Sequence, residues 1–433
     1  MKKTLFYINL FLIFILQFIS EVVSPIPTVV FGILCITAFL LVSTSHLMGL
    51  YLFLIPLSSG MVLYLTNVLF LIFIIIHFRG KLDANKNFII ISLLILFESI
   101  HVFINVNLGL DESIIKLLGF SACLLLFGFI KTLAKNINVT ATLNFLIAGV
   151  LGFILITTGI YMFKYNISTF FTEIKRFGFV PYKKEEGLEG LIINPNTVGK
   201  YCAFIISSIL TLNYFRIIKL NLLRISIITV FSIVGLLTLS RSFLLVMILI
   251  LVMYLWFSIR SGRVFPVFVF GVVLTIFAVI LITNTELYMS LTNRIFESDD
   301  ISGSRFTIYS IYISILMSNG WLLLFGTGMQ NYVEKYAKYD YLIDQATHNI
   351  LLEVVSIWGV IGLLLVALLL VRILSNSMLG NIRSIDRYIL LLPFFVVIIS
   401  ALFGQFFISY YHTFGIAIFS LVILSSNGVV KND

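Results

Sequence analysis

Three residues far apart in the chain have types that can handle a diphosphate and a proton. They are Arg241 in "TLSRSFL", Arg305 in "SGSRFTIYS" and His348 in "ATHNILLE". A guanidinium presents a planar fork of donors that matches two phosphate oxygens at once. An imidazole can take a proton from a hydroxyl near neutral pH. Cations that stabilise a departing diphosphate, beside a group that accepts the proton of an attacking hydroxyl, make a glycosyl-transfer site for a sugar carried on a diphosphate. Arg176 and Lys200 add positive charge upstream. Between them, Asn194-Pro195-Asn196 directly precedes an apolar stretch, and reads either as a helix start with Asn196 near the N-cap or as a polar ligand site. Asn349 follows the histidine, and Glu353 lies about one turn further on. Tyr332 and Tyr336, with Tyr339, recur at one helical face, which suits an interfacial belt or a platform for sugar rings.

The elements that must position these residues are membrane helices. Of the 433 residues, 60% are hydrophobic and only 11% charged, too little polar surface to coat a soluble globule. The fold class expected is all-α, a single polytopic helix bundle over residues 1–433 with about 12–14 spans, at roughly 20 apolar residues per crossing. The run at 47–78 is too long for one span and contains "PLSSG", so it reads as two short crossings or as a hairpin followed by a full span. The run at 225–259 is also too long. A turn at Ser240-Arg241-Ser242 divides it and moves Arg241 from the bilayer midplane, where a charge is costly, to a membrane face. Cys35, Cys123 and Cys202 lie in apolar segments and suggest neither a disulfide nor a zinc motif. The basic, apolar N-terminus reads as a retained first span.

Clusters of Lys and Arg mark the cytoplasmic loops, and with this count all of them fall on one side, that of the N-terminus. Arg241 then faces outward, as do two long loops at 164–199 and 284–347. The net charge of +9 sits mostly in the cytoplasmic clusters, which suit anionic membrane lipids and call for no nucleic acid. An ionisable group inside a span supports a different class, a carrier such as a lipid-linked oligosaccharide flippase: Glu98, His101 and Asn105 share one helix face. No repeated halves accompany them.

"NPN" before a span, "LSRS" between two spans, "SRFTIYSIYISILMSNGWLLLFGTG" in a long outer loop and "HNILLEVVSIWGVIGLLL" starting a late span occur in that order. This order resembles the O-antigen polymerase and ligase superfamily, most closely over residues 190–375. The resemblance implies a metal-independent membrane glycosyltransferase of the C-type architecture, without a cofactor. Its substrate would be an undecaprenyl diphosphate-linked oligosaccharide in the bacterial inner membrane. A flippase and a chain-length regulator would be its pathway partners. Arg241, Arg305 and His348 match the arginines and the histidine of the family's motifs. Arg176, Lys200, Asn194, Asn196, Asn349, Glu353, Tyr332 and Tyr336 are the expected substrate contacts. A polymerase of O-antigen or capsule repeats is the favoured activity, with ligation to a lipid or protein acceptor as the alternative.

Overall fold

The computed structural model describes residues 2–79, 87–104, 110–164, 176–178, 194–262, 305–378 and 388–426, with five isolated positions between 263 and 304. Among the described residues every regular element is helical and no strand occurs. In chain order they are α1 (Lys2–Val22), α2 (Thr28–Leu41), α3 (Leu47–Leu54), α4 (Gly60–His77), α5 (Asn87–Ile104), α6 (Leu110–Leu126), α7 (Ile130–Asn136) and α8 (Val139–Lys164). There follow α9 (Pro195–Tyr214), α10 (Leu222–Leu237), α11 (Arg241–Arg260), α12 (Arg305–Ser318), α13 (Gly320–Phe325), α14 (Tyr332–Ala337), α15 (Ile350–Met378), α16 (Leu392–Leu402) and α17 (Tyr410–Ser425). Seven stretches among the described residues are long and apolar enough to cross a membrane: α1, α4, α5, α6 with α7, α8, α11 and α15. Shorter apolar helices lie between them, and the chain is a polytopic membrane protein. The span expected at 264–283 and most of the loop at 164–199 lie outside the described residues.

The lipid-facing pattern is visible along α11. Leu245, Ile248, Val252, Trp256 and Ile259 are exposed, while Phe243, Val246, Ile250 and Tyr254 are buried. Apolar side chains cover both faces because one side meets protein and the other meets lipid, which is as apolar as the core. Helix α9 differs. Nearly all its residues are buried, and it packs on α10, α11, α16 and α17. Surrounded by protein, it tolerates hydroxyls whose bonds are made locally: Ser207 donates to the Phe204 carbonyl at 2.9 Å and Thr211 to that of Ile389 at 3.2 Å.

Both overlong runs are divided. Residues 44–57 form a short apolar helix that stops at Pro56 and Leu57, and α4 follows as a full-length helix. Helices α10 and α11 are separated by Thr238–Ser240. Leu239 adopts φ 49°, and the Ser240 hydroxyl accepts from the Phe243 amide at 3.4 Å. Helix α15 is interrupted at Gly359, which has φ 66° and ψ −170°. The interruption frees carbonyls that the preceding loop uses. Thr327 donates to Ser356 at 3.1 Å and Gly328 to Ile357 at 2.8 Å. A Cβ on Gly359 would sit 2.1 Å from the Leu324 carbonyl oxygen, so the backbone of α13 approaches that of α15 where only glycine fits.

Candidate active site

The site starts from two helix beginnings. Asn194, not Asn196, caps α9 and accepts from the Asn196 amide at 2.9 Å. Pro195 is the reason: it has no N–H to satisfy and its fixed φ suits the first helical position, which moves the cap one residue back. The Asn196 side chain is thereby left to accept from Arg176 Nη2 at 3.3 Å, and Arg176 Nε donates to the Thr238 carbonyl at 3.2 Å. Phe177 N donates to the Leu237 carbonyl at 2.9 Å, which ties this loop to the α10–α11 turn. A Cβ on Gly199 would meet Phe243, Thr238 and Ser240 at 3.1–3.5 Å, so the first turns of α9 and α11 lie side by side. Two helix starts with their dipoles' positive ends, and Arg241 as the first residue of α11, favour negative charge here.

Arg305 opens α12 and feels the positive charge of Arg241. His348, in turn, feels Arg305. Residues 241, 305 and 348 are therefore neighbours in space, although more than forty positions separate each from the next. Burial is the largest influence on Arg305 and lowers its pKa; Tyr309 acts the other way, and Arg241 adds like-charge repulsion. Like charges held together are relieved by an anion between them. Burial, and then Arg305, hold the His348 imidazole below the usual histidine value, so it is neutral near neutral pH and has a lone pair to offer. The histidine backbone is in the left-handed region, φ 49°, and Tyr309 Oη donates to its carbonyl at 3.3 Å. Tyr309, one turn into α12, is a part of the site that pattern reading passed over.

The other expected contacts act as supports in this geometry. Asn349 caps α15, its Oδ1 accepting from Leu351 and Leu352 at 3.0 and 3.2 Å, while its Nδ2 donates to the Leu402 carbonyl at 3.3 Å. Glu353 is fully enclosed and accepts from the amides of Phe406 and Ile408, each at 2.9 Å. It clamps the α16–α17 turn against α15, and buried Lys200 supplies the nearby positive charge. Tyr332 and Tyr336 are buried and expose no ring face to solvent. The Thr347 amide donates to Tyr332 Oη at 3.3 Å, and Tyr336 Oη donates to the Ser356 carbonyl at 3.1 Å, so both steady the segment that ends in His348. Glu98 is likewise consumed: its carboxylate accepts from Trp358 Nε1 at 2.7 Å and from the Met329 amide at 3.0 Å. His101 Nε2 pairs with the Phe325 carbonyl at 2.9 Å, and Asn105 lies outside the described residues.

Beside Tyr309 and Asn349 runs a groove of about 400 Å³ between α12 and α15, walled by Ile313, Leu316, Leu323, Leu352 and Val355. Its walls are almost wholly apolar, and Asn349, which lines it, is the residue after His348.

Residues 225–367 match the family model described as O-antigen ligase. The match covers about a third of the chain. The match supports the O-antigen ligase and polymerase superfamily, and the matched segment contains Arg241, Arg305 and His348 together. Members of the O-antigen ligase family are membrane glycosyltransferase-like enzymes. No curated protein matches the chain.

Proposed function

We propose that the protein polymerises oligosaccharide repeats carried on undecaprenyl diphosphate, at the outer face of the bacterial inner membrane, with its N-terminus in the cytoplasm. The observation that carries this reading is the mutual charge influence of Arg241, Arg305 and His348, with an apolar groove beside Tyr309, which bonds the His348 carbonyl, and Asn349, the next residue. One ligand has both chemistries: a diphosphate for the cations and a polyprenyl chain for the groove. A hydroxyl at the non-reducing end of one glycan attacks the anomeric carbon of another. The new C–O bond forms as the bond from that carbon to the diphosphate oxygen breaks. The diphosphate leaves with the electron pair, stabilised by Arg241 and Arg305, with Arg176 and Asn196 completing the polar lining. The hydroxyl proton passes to the His348 imidazole and then to water. No metal or cofactor enters this scheme.

Ligation of the finished glycan to a lipid or protein acceptor is the second reading, favoured by the description of the matched family. The carrier reading loses its main support, because Glu98 is engaged by the Trp358 indole and the Met329 amide as a structural contact between α5, α15 and the loop before α14. Surface glycans of cells lacking the protein test the proposal. Single lipid-linked repeats on the outer side, with long chains restored by wild type but not by Arg241→Lys or His348→Ala, support the polymerase. Long chains that remain on their lipid and never reach the final acceptor identify a ligase. Single repeats retained on the cytoplasmic side would overturn glycosyl transfer altogether.

A further inference from the structure

A second cavity, of about 320 Å³, opens on the other side of α14, between the beginnings of α4 and α17 and the first turns of α6. It falls within the range of small-molecule sites, roughly 300–1,000 Å³. Its composition is unlike that of the groove beside Tyr309. Tyr64, Tyr411 and Phe407 present aromatic surface, Asn331 and Gln330 contribute amides, and Lys116 and Glu334 bring opposite charges. Tyr64 and Tyr411 are only partly buried, so their rings are open to the cavity. Aromatic faces that pack against C–H groups, with amide and charged groups at the edges, are how proteins hold sugars. A lone lysine balanced by a glutamate is poorly suited to a phosphate, and the polar wall is poorly suited to a lipid chain.

The cavity is joined to the active site through two of its supports. Tyr332 forms part of its floor, and the hydroxyl of the same tyrosine accepts from the Thr347 amide, one residue before His348. The opposite wall, Phe407 and Ile408, belongs to the turn that Glu353 clamps, Ile408 N lying 2.9 Å from Glu353 Oε1. We infer that this cavity is the acceptor-glycan subsite, holding a sugar residue behind the one whose hydroxyl reaches His348. The inference rests on the glycosyl-transfer reading and adds to it a site for the neutral half of the reaction, separate from the diphosphate and lipid side.

The test is direct binding of the water-soluble repeat oligosaccharide, freed of its lipid by mild acid, to the full-length protein in detergent. The same compound then serves as a competitor in reconstituted polymerisation. Wild type binds it and is inhibited competitively. Tyr411→Ala and Glu334→Gln weaken binding and inhibition by about tenfold. Glu334 is exposed, so Glu334→Gln leaves the fold intact if Tyr411→Ala does not. Binding unchanged in both variants, with Arg241→Lys inactive, would overturn the subsite and leave glycosyl transfer standing. Full activity of Arg241→Lys would overturn the diphosphate reading instead, and the binding comparison would still decide the subsite.

Discussion

At the site, His348 is set apart by what surrounds it. Burial and the charge of Arg305 keep it neutral, and both causes favour a base that works at neutral pH. Because its pKa is depressed, the imidazole stays unprotonated until the pH falls below the usual histidine range, and activity is lost only there. The acidic limb of the rate profile is therefore expected below the ordinary histidine value of 6.5. Replacing Arg305 by Gln removes one of the two lowering causes and moves that limb upward, at a reduced rate. His348→Ala loses the limb and about 10²–10⁴-fold in rate, the usual share of a general base. A pH series with reconstituted protein and lipid-linked repeats checks both. Arg241→Lys keeps the charge but loses the fork, and is expected to cost about 10²-fold in turnover, the scale for removing one oriented donor to a developing anion. A rate near wild type would make Arg241 a helix-start residue and no more.

The elements hold the site by two devices, one legible in the sequence and one not. The turn between α10 and α11 could be read directly, because a helix spanning 225–259 would be far longer than a bilayer is thick and serine flanks the one arginine in the run. The role of Glu353 could not be read. Its spacing from His348 suggested a substrate contact, yet the partners of its carboxylate are the amides of Phe406 and Ile408, supplied by a turn more than fifty residues away. The tyrosine periodicity was equally ambiguous, since a face at i and i+4 is the same whether it meets sugar or core; Tyr332 and Tyr336 meet core. Gly359, inside the apolar run of α15, is a helix break that no sequence period marks. Removing the clamp with Glu353→Ala leaves two buried amides and the Lys200 ammonium uncompensated, and is expected to cost about 3–5 kcal/mol. Adding Lys200→Met should recover part of it. Gly359→Ala forces a Cβ into the α13 backbone at φ 66° and should cost at least as much as a strained backbone position, about 1–3 kcal/mol. Thermal unfolding midpoints in detergent measure all three.

For the whole molecule, the residues treated as chemistry gather at one end of the bundle. The beginnings of α9, α11, α12 and α15 meet there, and the α16–α17 turn is bonded to the first turn of α15. One-sided placement is what an enzyme needs when its two substrates both arrive from the same face of a membrane, whereas a carrier needs its binding groups near the midplane. Glycosyl transfer at the outer surface requires that end to face outward, opposite the N-terminus. The molecule is well made for asking. Its three cysteines, Cys35, Cys123 and Cys202, are all buried, so a membrane-impermeant maleimide finds little native background. Tyr341 lies 89% exposed in the segment before His348, and Lys3 lies exposed at the N-terminus. In intact spheroplasts, Tyr341→Cys is expected to react with the impermeant reagent while Lys3→Cys reacts only after permeabilisation. The reverse pattern would put Arg241, Arg305 and His348 on the cytoplasmic side, where they would face newly assembled repeats, and polymerisation at the outer surface would have to be abandoned.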